Sequence, residues 1–119
     1  MHNRYRDIPA YQTKDGSLIR ELMHPAAHGN HSQSLAEAIV APGQSTALHR
    51  HTCSEEIYHI LHGEGLMTLA DQQFTVQATD TVCITPGTAH CIQNTGQVDL
   101  RILCSCSPPY AHDDTELLD

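Results

Sequence analysis

The chain has no tryptophan and only one phenylalanine among its 119 residues. Its core must therefore rest on leucine, isoleucine, valine, alanine and cysteine, and a large planar aromatic substrate would find few rings on which to stack. Basic residues are also scarce, because six lysines and arginines face 14 acidic residues and leave a formal net charge of −8. Nucleic acids and anionic membrane surfaces are bound by clusters of basic residues, so we expect neither as a partner.

The chain also lacks a long apolar run and a paired-cysteine motif. No segment approaches the roughly 20 apolar residues of a transmembrane helix, and the first ten residues, MHNRYRDIPA, do not resemble a signal peptide. We therefore expect a cytoplasmic protein with reduced thiols that are mostly small buried hydrophobes, and no cysteine-based zinc site. The five cysteines are Cys53, Cys83, Cys91, Cys104 and Cys106.

The spacing of apolar residues and turns predicts a single all-β domain. Residues 1–33 form an irregular N-terminal segment, in which 17–23 fit either a strand or one helical turn, and residues 34–106 alternate between short β-like runs and turn-forming residues. The predicted strands are 35–41, 46–51, 56–61, 65–69, 74–77, 81–84, 90–93 and 100–104. Eight such strands indicate an antiparallel sandwich or a closed barrel. Residues 107–119 form an acidic, extended C-terminal tail, either loosely ordered or packed on a neighbouring subunit.

Ten histidines in a chain of this size are the first indication of function. His49 and His51 lie two apart in a β-like run, so their side chains project from the same face. Glu56 opens the next, largely apolar strand, and a buried carboxylate there needs a counter-charge or a cation. One divalent ion would satisfy all three groups. The alternative is that both histidines are solvated on an edge strand and that Glu56 pairs with Arg50.

These residues belong to a longer pattern that resembles the cupin superfamily. The first cupin motif, G-x5-H-x-H-x(3–4)-E-x6-G, is matched in full by Gly43, His49, His51, Glu56 and Gly63. The second, G-x5-P-x-G-x2-H-x3-N, is matched at its later positions by Gly87, His90 and Asn94. Threonines stand at its leading glycine (position 79) and at its proline (position 85). The fifteen residues between the motifs are the spacing of small single-domain cupins.

The resemblance implies a double-stranded β-helix, or jelly-roll barrel, that holds one divalent metal ion on His49, His51, Glu56 and His90. Such mixed nitrogen and oxygen ligands suit Mn, Fe, Ni, Co or Zn and do not select among them. An octahedral ion would keep two positions for water or substrate. The family also forms dimers by sheet-to-sheet packing and exchange of terminal strands, so we expect a homodimer and assign residues 1–33 to a dimer or barrel-edge contact.

Several other residues have two readings each. Tyr58 lies two residues after Glu56, so its side chain is expected on the same face of the strand. It is either a core aromatic residue or a hydrogen-bond donor to substrate. We take it as the catalytic candidate. Arg101 either neutralises an anionic substrate or lies on the surface. Cys91 is expected to face away from the metal. The remaining histidines of the N-terminal segment are expected in loops, with an entrance role open to them: His24, His28 and His31.

Three functions fit a barrel with an open metal position. The first is a redox metalloenzyme, dioxygenase or decarboxylase-like, that acts on a small, oxygen-rich and anionic substrate. The second is a non-redox isomerase, epimerase or lyase acting on a sugar or a small acid, with the metal polarising a carbonyl. The third is a binding protein for a small ligand without turnover. A complete ligand set favours the enzymes over the third.

Overall fold

The computed structural model describes all 119 residues, from Met1 to Asp119. Its only helices are single turns, namely α1 (Pro25–His28) and two 3-10 turns at Tyr5–Asp7 and His112–Asp114. The strands are β1 (Tyr11–Gln12), β2 (Leu18–Met23), β3 (Ser34–Val40), β4 (His49–His51), β5 (Glu55–His62), β6 (Glu64–Leu69), β7 (Gln72–Gln77), β8 (Thr81–Ile84), β9 (His90–Asn94), β10 (Leu100–Ser107) and β11 (Thr115–Leu117).

The strands form two antiparallel sheets that face each other. The larger sheet has the order β1-β2-β3-β10-β5-β8, and the smaller has the order β11-β4-β9-β6-β7. Side chains alternate along each strand, so that in β5 Tyr58 and Ile60 are buried while Ile57 and Leu61 are exposed. The all-β jelly-roll barrel predicted from the sequence is confirmed.

All eight predicted strands occur, with ends that differ by a few residues. Residues 17–23, for which a strand and a helical turn were both open, form β2, which pairs with β3. Two further strands come from the segments outside the barrel prediction: β1 pairs with β2, and β11 of the tail pairs with β4. Strands of two or three residues carry too little alternation to be recognised in a sequence.

The apolar core fills the space between the sheets. Its most deeply buried side chains, each exposed by 1 % or less, are Ile60, Met67, Ile84, Ile92, Leu100 and Ile102. Next to them the facing strands enclose a cavity that His49 and His51 of β4 line, and His90 of β9 lies beside these two.

Backbone geometry explains one glycine of the first motif and marks a departure from the second. Gly63 has φ +89°, and a Cβ atom there would lie 2.9 Å from the carbonyl oxygen of Asp99, so only glycine fits. Thr79 stands where the second motif has glycine and keeps the left-handed conformation, with φ +78°. A β-branched residue is strained there.

The cysteines do not all follow the sequence expectation. Cys104 and Cys106 are buried, Cys91 is half-buried, and Cys53 and Cys83 are exposed. Burial was inferred from residue type alone, whereas Cys83 lies on an outward position of β8 and Cys53 in the loop after β4. Separately, none of the helices has the length and apolar character to cross a membrane.

Candidate metal centre

Three buried imidazoles meet at one side of the cavity. His49 and His51 project inward from β4, and His90 projects inward from β9, where it is the register partner of His49. Each is exposed by 4 % or less. Their ligand atoms all lie within 4.8 Å of one another, close to the roughly 3 to 4 Å that separates two nitrogens bound to one ion at about 2.1 Å. The structure therefore brings together the three histidines that the motifs single out.

The Nδ1 atom of each ring is held by an acceptor outside the cluster. His49 Nδ1 lies 2.7 Å from the carbonyl oxygen of Ala47, and His90 Nδ1 lies 2.9 Å from that of Thr88. His51 Nδ1 lies 3.0 Å from Thr115 Oγ1. These partners assign the proton of each neutral ring to Nδ1 and direct the lone pair of Nε2 into the cluster. Metal-bound histidines show the same arrangement.

His90 supplies the test of whether a metal fits. Its Nε2 atom is fully buried and has no hydrogen-bond partner in the chain. A buried polar atom without a partner is costly, and a lone pair on neutral imidazole nitrogen is a preferred ligand of divalent transition metals. The electrostatics of His49 agree, since burial, followed by the neighbouring His90, lowers its pKa and favours the neutral ring. The donor set therefore fits a divalent ion.

Glu56 reaches the same cluster from β5 of the opposite sheet. Its Oε1 atom lies 3.1 Å from His51 Nε2 and 3.6 Å from His90 Nε2. Burial alone would raise the pKa of Glu56, but the two imidazoles outweigh burial and lower it to about 2. The carboxylate is therefore ionised at neutral pH and adds a negative charge to the cluster.

The second oxygen of Glu56 is held by a thiol that the sequence did not connect with the site. Cys106 Sγ lies 3.2 Å from Glu56 Oε2 and donates to it, because β10 pairs with β5 in a register that sets these two residues side by side. Burial raises the pKa of the Cys106 thiol, followed by the charge of Glu56. Cys106 therefore stays protonated and orients the carboxylate.

Asp15 also enters the site, and the sequence did not indicate it. It lies in the turn before β2, with a side chain that is 12 % exposed, and its Oδ2 is 3.6 Å from His49 Nε2. The Asp15-Gly16 pair is recognisable as a turn, but nothing in the sequence shows that this turn lies over β4. The backbone N–H of Ala47 donates to the Asp15 carbonyl oxygen and joins the two segments.

The cavity around the cluster is small and carries acidic but no basic side chains. The cavity has a volume of about 40 Å³, which is room for about three waters. Its lining includes the carboxylates of Asp15, Glu21 and Glu56 and contains no lysine or arginine. One oxygen of Glu21 accepts from the Tyr11 hydroxyl, and the other has no partner.

Tyr58, the catalytic candidate, lies in the cavity wall. Its ring packs edge-on against His90 with centroids 6.0 Å apart, and the residue is 5 % exposed. Burial, followed by the charge of Glu56, raises the pKa of Tyr58 well above its usual value. The hydroxyl therefore stays protonated, which suits a hydrogen-bond donor and not a general base.

Arg101 faces away from the cavity. It donates to Glu37 Oε2 at 2.9 Å and to the Tyr5 hydroxyl at 3.0 Å on the outer side of the larger sheet. The structure therefore supports the interpretation that Arg101 lies on the surface, and not the one in which it neutralises a substrate.

The N-terminal histidines do not form a second cluster. His24 caps α1, and its Nε2 lies 2.7 Å from the carbonyl oxygen of Tyr110 in the tail. His49, His51 and His90 are the one group of histidines, cysteines and acids whose ligand atoms lie close enough together to share an ion.

Comparison with known proteins agrees with this architecture. Residues 36–106 match the family described as Cupin domain, which is more than half of the chain. The chain belongs to the cupin family.

Relatives resemble it over most of their length. It is 56 % identical over 115 residues to an uncharacterized protein of Methanocaldococcus jannaschii, covering 97 % of this chain and 92 % of that one. It is 36 % identical over 86 residues to a protein of Thermotoga maritima named oxalate-binding protein, covering 72 % of this chain and 67 % of that one. A crystal structure from Thermotoga maritima, titled a predicted oxalate decarboxylase, superposes with a TM-score of 0.79 at 28 % identity, over 91 % of this chain and 99 % of that one.

Proposed function

We propose that the protein binds one divalent transition metal ion through His49, His51, Glu56 and His90, and that a small oxygen-rich ligand occupies the open positions. The observation that carries this proposal is the buried Nε2 of His90, which has no partner in the chain. Each ring is held at Nδ1 and turns Nε2 to the cluster, and Glu56 offers a carboxylate. A cation satisfies all four groups together.

The metal is Mn, Fe, Ni, Co or Zn. Three imidazoles and one carboxylate include no soft ligand that would select among these ions. When bound, the ion would supply a Lewis acid, and Fe or Mn would also supply redox chemistry. The residues around it bind, orient and exclude water, and they suit all of these ions.

The size of the cavity limits the ligand. About 40 Å³ of space admits a molecule of a few heavy atoms together with the ion, and favours small ligands. The names of the Thermotoga maritima relatives refer to oxalate, a two-carbon oxygen chelator. Both observations support a ligand that contacts the metal through oxygen.

We further propose that the site catalyses a reaction, with dioxygenase or decarboxylase-like redox chemistry ahead of isomerase, epimerase or lyase chemistry. Tyr58 would donate a hydrogen bond to the bound ligand from the cavity wall. Its protonated hydroxyl makes no hydrogen bond within the chain and is free for that role. Tyr58→Phe is expected to lower kcat while the metal content stays unchanged; an unchanged kcat would remove Tyr58 from the mechanism.

The decisive experiment measures metal content first and turnover second. Protein purified without chelator or nickel resin is expected to carry about one transition metal ion per chain by plasma mass spectrometry, and His49→Ala to carry almost none. Oxygen uptake and carbon dioxide release are then followed with small dicarboxylates, diketones and hydroxy acids. A wild-type protein without metal, or a His49→Ala variant that keeps it, would contradict the proposal.

We propose that the protein is a homodimer that packs through the outer face of the larger sheet. Leu18, Ile57 and Leu61 on this sheet are each about 40 % exposed or more, and exposed apolar side chains on one face favour association. Light scattering after gel filtration is expected to give twice the mass of 13.1 kDa, and Ile57→Glu with Leu61→Glu to give the monomer. A monomeric wild type would contradict this.

A further inference from the structure

Asp15 turns one oxygen of its carboxylate toward the side chain of His49. Asp15 Oδ2 receives no hydrogen bond from the chain and lies 3.6 Å from His49 Nε2. Because His49 Nδ1 is turned to the carbonyl oxygen of Ala47, the neutral ring presents a lone pair at Nε2. Asp15 Oδ2 is therefore a hydrogen-bond acceptor that faces a proposed ligand atom of the cluster. A ligand bound to an ion at this cluster would come within its reach.

The carboxylate of Asp15 is held in this orientation. Its Oδ1 accepts from the backbone N–H of Ser17 at 2.9 Å and from the Ser17 hydroxyl at 2.6 Å. Next to it, Lys14 Nζ donates to the carbonyl oxygen of Thr115 at 2.6 Å and joins the turn to the tail. With Oδ1 used in this way, Oδ2 is left free to face the cluster.

The charge of the cavity narrows what can bind there. Glu56 and Asp15 together neutralise a divalent ion before Glu21 is counted, and no lysine or arginine lines the cavity. A dianion would therefore add two negative charges to a site that is already neutral or negative. Burial of unpaired like charges is strongly unfavourable.

We infer that Asp15 determines the ligand class of the metal site: it accepts a hydrogen bond from a metal-bound ligand, selects hydroxyl-bearing oxygen chelators such as α-hydroxy acids and diols, and disfavours dianions such as oxalate. This inference rests on the proposed metal site. It narrows the anionic substrate that the sequence suggested to chelators with at most one negative charge, because Asp15 in a turn outside the motifs makes the cavity wall acidic.

The test compares two probes of similar size that differ in one group. Oxalate carries two carboxylates, and glycolate replaces one of them with a hydroxyl. Both are titrated calorimetrically into wild-type protein and Asp15→Asn, each loaded with Co²⁺ and checked for metal content and visible spectrum. Asp15→Asn is expected to bind oxalate at least tenfold more tightly than the wild type, because a unit charge at about 5 Å is worth more than that at an effective dielectric constant near 20. Its affinity for glycolate is expected to stay the same or to fall.

Glu21→Gln is the matched control, since it also removes one carboxylate from the cavity wall but not one that faces His49. It is expected to raise oxalate affinity by less than Asp15→Asn does. Ser17→Ala keeps the charge of Asp15 and removes the hydroxyl that orients it, and is expected to raise oxalate affinity about two- to threefold if Asp15→Asn does not fold.

The outcomes separate this inference from the proposed function. An unchanged oxalate affinity in Asp15→Asn and in Ser17→Ala, or equal effects of Asp15→Asn and Glu21→Gln, would overturn the role of Asp15 while the metal site stands. A wild-type protein that takes up no Co²⁺ would overturn the metal site itself.

Discussion

The cavity has two walls of different origin. One wall comes from the two motifs and presents His49, His51 and His90 from the smaller sheet and Glu56 from the larger. The other comes from the two ends of the chain and presents residues that no motif contains, among them Asp15, Tyr110 and Thr115. In the proposed site, the first wall offers ligand atoms to an ion. The second holds His51 through Thr115 and would limit which ligands enter.

The two walls are joined at the ligands themselves. Thr115 in β11 holds His51 Nδ1, and its own hydroxyl donates to the carbonyl oxygen of Ala111. Gly87, in the turn of the second motif, donates its N–H to the carbonyl oxygen of His51 at 2.7 Å. The position of His51 therefore depends on both the motifs and the tail. Substitutions in each wall separate the two contributions.

Removal of a motif histidine is expected to have the largest effect. His90→Ala deletes the nitrogen that has no other partner, so metal affinity should fall more than 100-fold while the strand β9 remains paired. The control is His59→Ala, which removes a histidine on the outward face of β5. Metal content and competitive chelator titration measure both variants. If His90→Ala and His59→Ala retain the same amount of metal, the assignment of His90 as a ligand is contradicted.

Removal of a partner in the terminal wall is expected to have the next largest effect. Thr115→Val deletes the acceptor that holds His51 Nδ1, and loss of such a partner typically costs 10- to 100-fold in metal affinity. A matched pair exists outside the cavity, where Thr81 Oγ1 lies 2.8 Å from His59 Nδ1. Thr81→Val should leave metal affinity unchanged. If both variants bind metal like the wild type, the tail does not orient the site.

This difference between the walls also explains what the sequence could predict. The histidine spacing, the eight main strands and the jelly-roll fold followed from alternation and from motif residues that are adjacent in the chain. Asp15 and Thr115 are separated from His49 and His51 by 34 and 64 positions, and no local pattern indicates which loop covers which strand. Cys106 lies just beyond the predicted strand 100–104, and its contact with Glu56 depends on the register of β10 against β5. Long-range register is the part that spacing alone does not encode.

One departure from the second motif predicts a substitution that stabilises the protein. Thr79 has φ +78°, a conformation that costs an ordinary residue roughly 1 to 2 kcal/mol and glycine almost nothing. Thr79→Gly is therefore expected to raise the free energy of unfolding by about 1 kcal/mol, after the greater flexibility of glycine in the unfolded chain is taken into account. Urea denaturation measures it, with Thr75→Gly in β7 as a control that should destabilise. A destabilised Thr79→Gly would show that the threonine side chain outweighs the strain.

The tail also contributes stability that depends on pH. Partial burial would raise the pKa of Asp114, but the hydrogen bonds donated by the backbone N–H groups of Cys53 and Ser54 outweigh it and lower the pKa. Its contribution is therefore present above the pKa of the unfolded chain, about 4, and is lost as pH falls through the lower folded value. Asp114→Asn should cost somewhat less than 1 kcal/mol at pH 7 and less than that at pH 2.

Two features of the measurement make this prediction specific. Asp113→Asn, an exposed neighbour in the same turn, should change stability at neither pH. A penalty for Asp114→Asn that is the same at pH 7 and pH 2 would show that the carboxylate charge does not act through the loop between His51 and Glu56.

The smallest effect is expected on the outer side of β11, one residue from Thr115. Glu116 pairs with Arg50 of β4 at 2.8 Å, and both side chains are about half exposed. Exposed ion pairs contribute roughly 0.2 to 1 kcal/mol and are screened by salt. Glu116→Gln should therefore lower stability by no more than about 0.5 kcal/mol, less still in 1 M salt, and leave metal affinity unchanged.

Thr115→Val and Glu116→Gln thus alter the inner and outer faces of one three-residue strand. If Glu116→Gln weakens metal binding as much as Thr115→Val does, then the tail acts on the site by holding β4 in place, and the hydrogen bond to His51 is not its particular contribution.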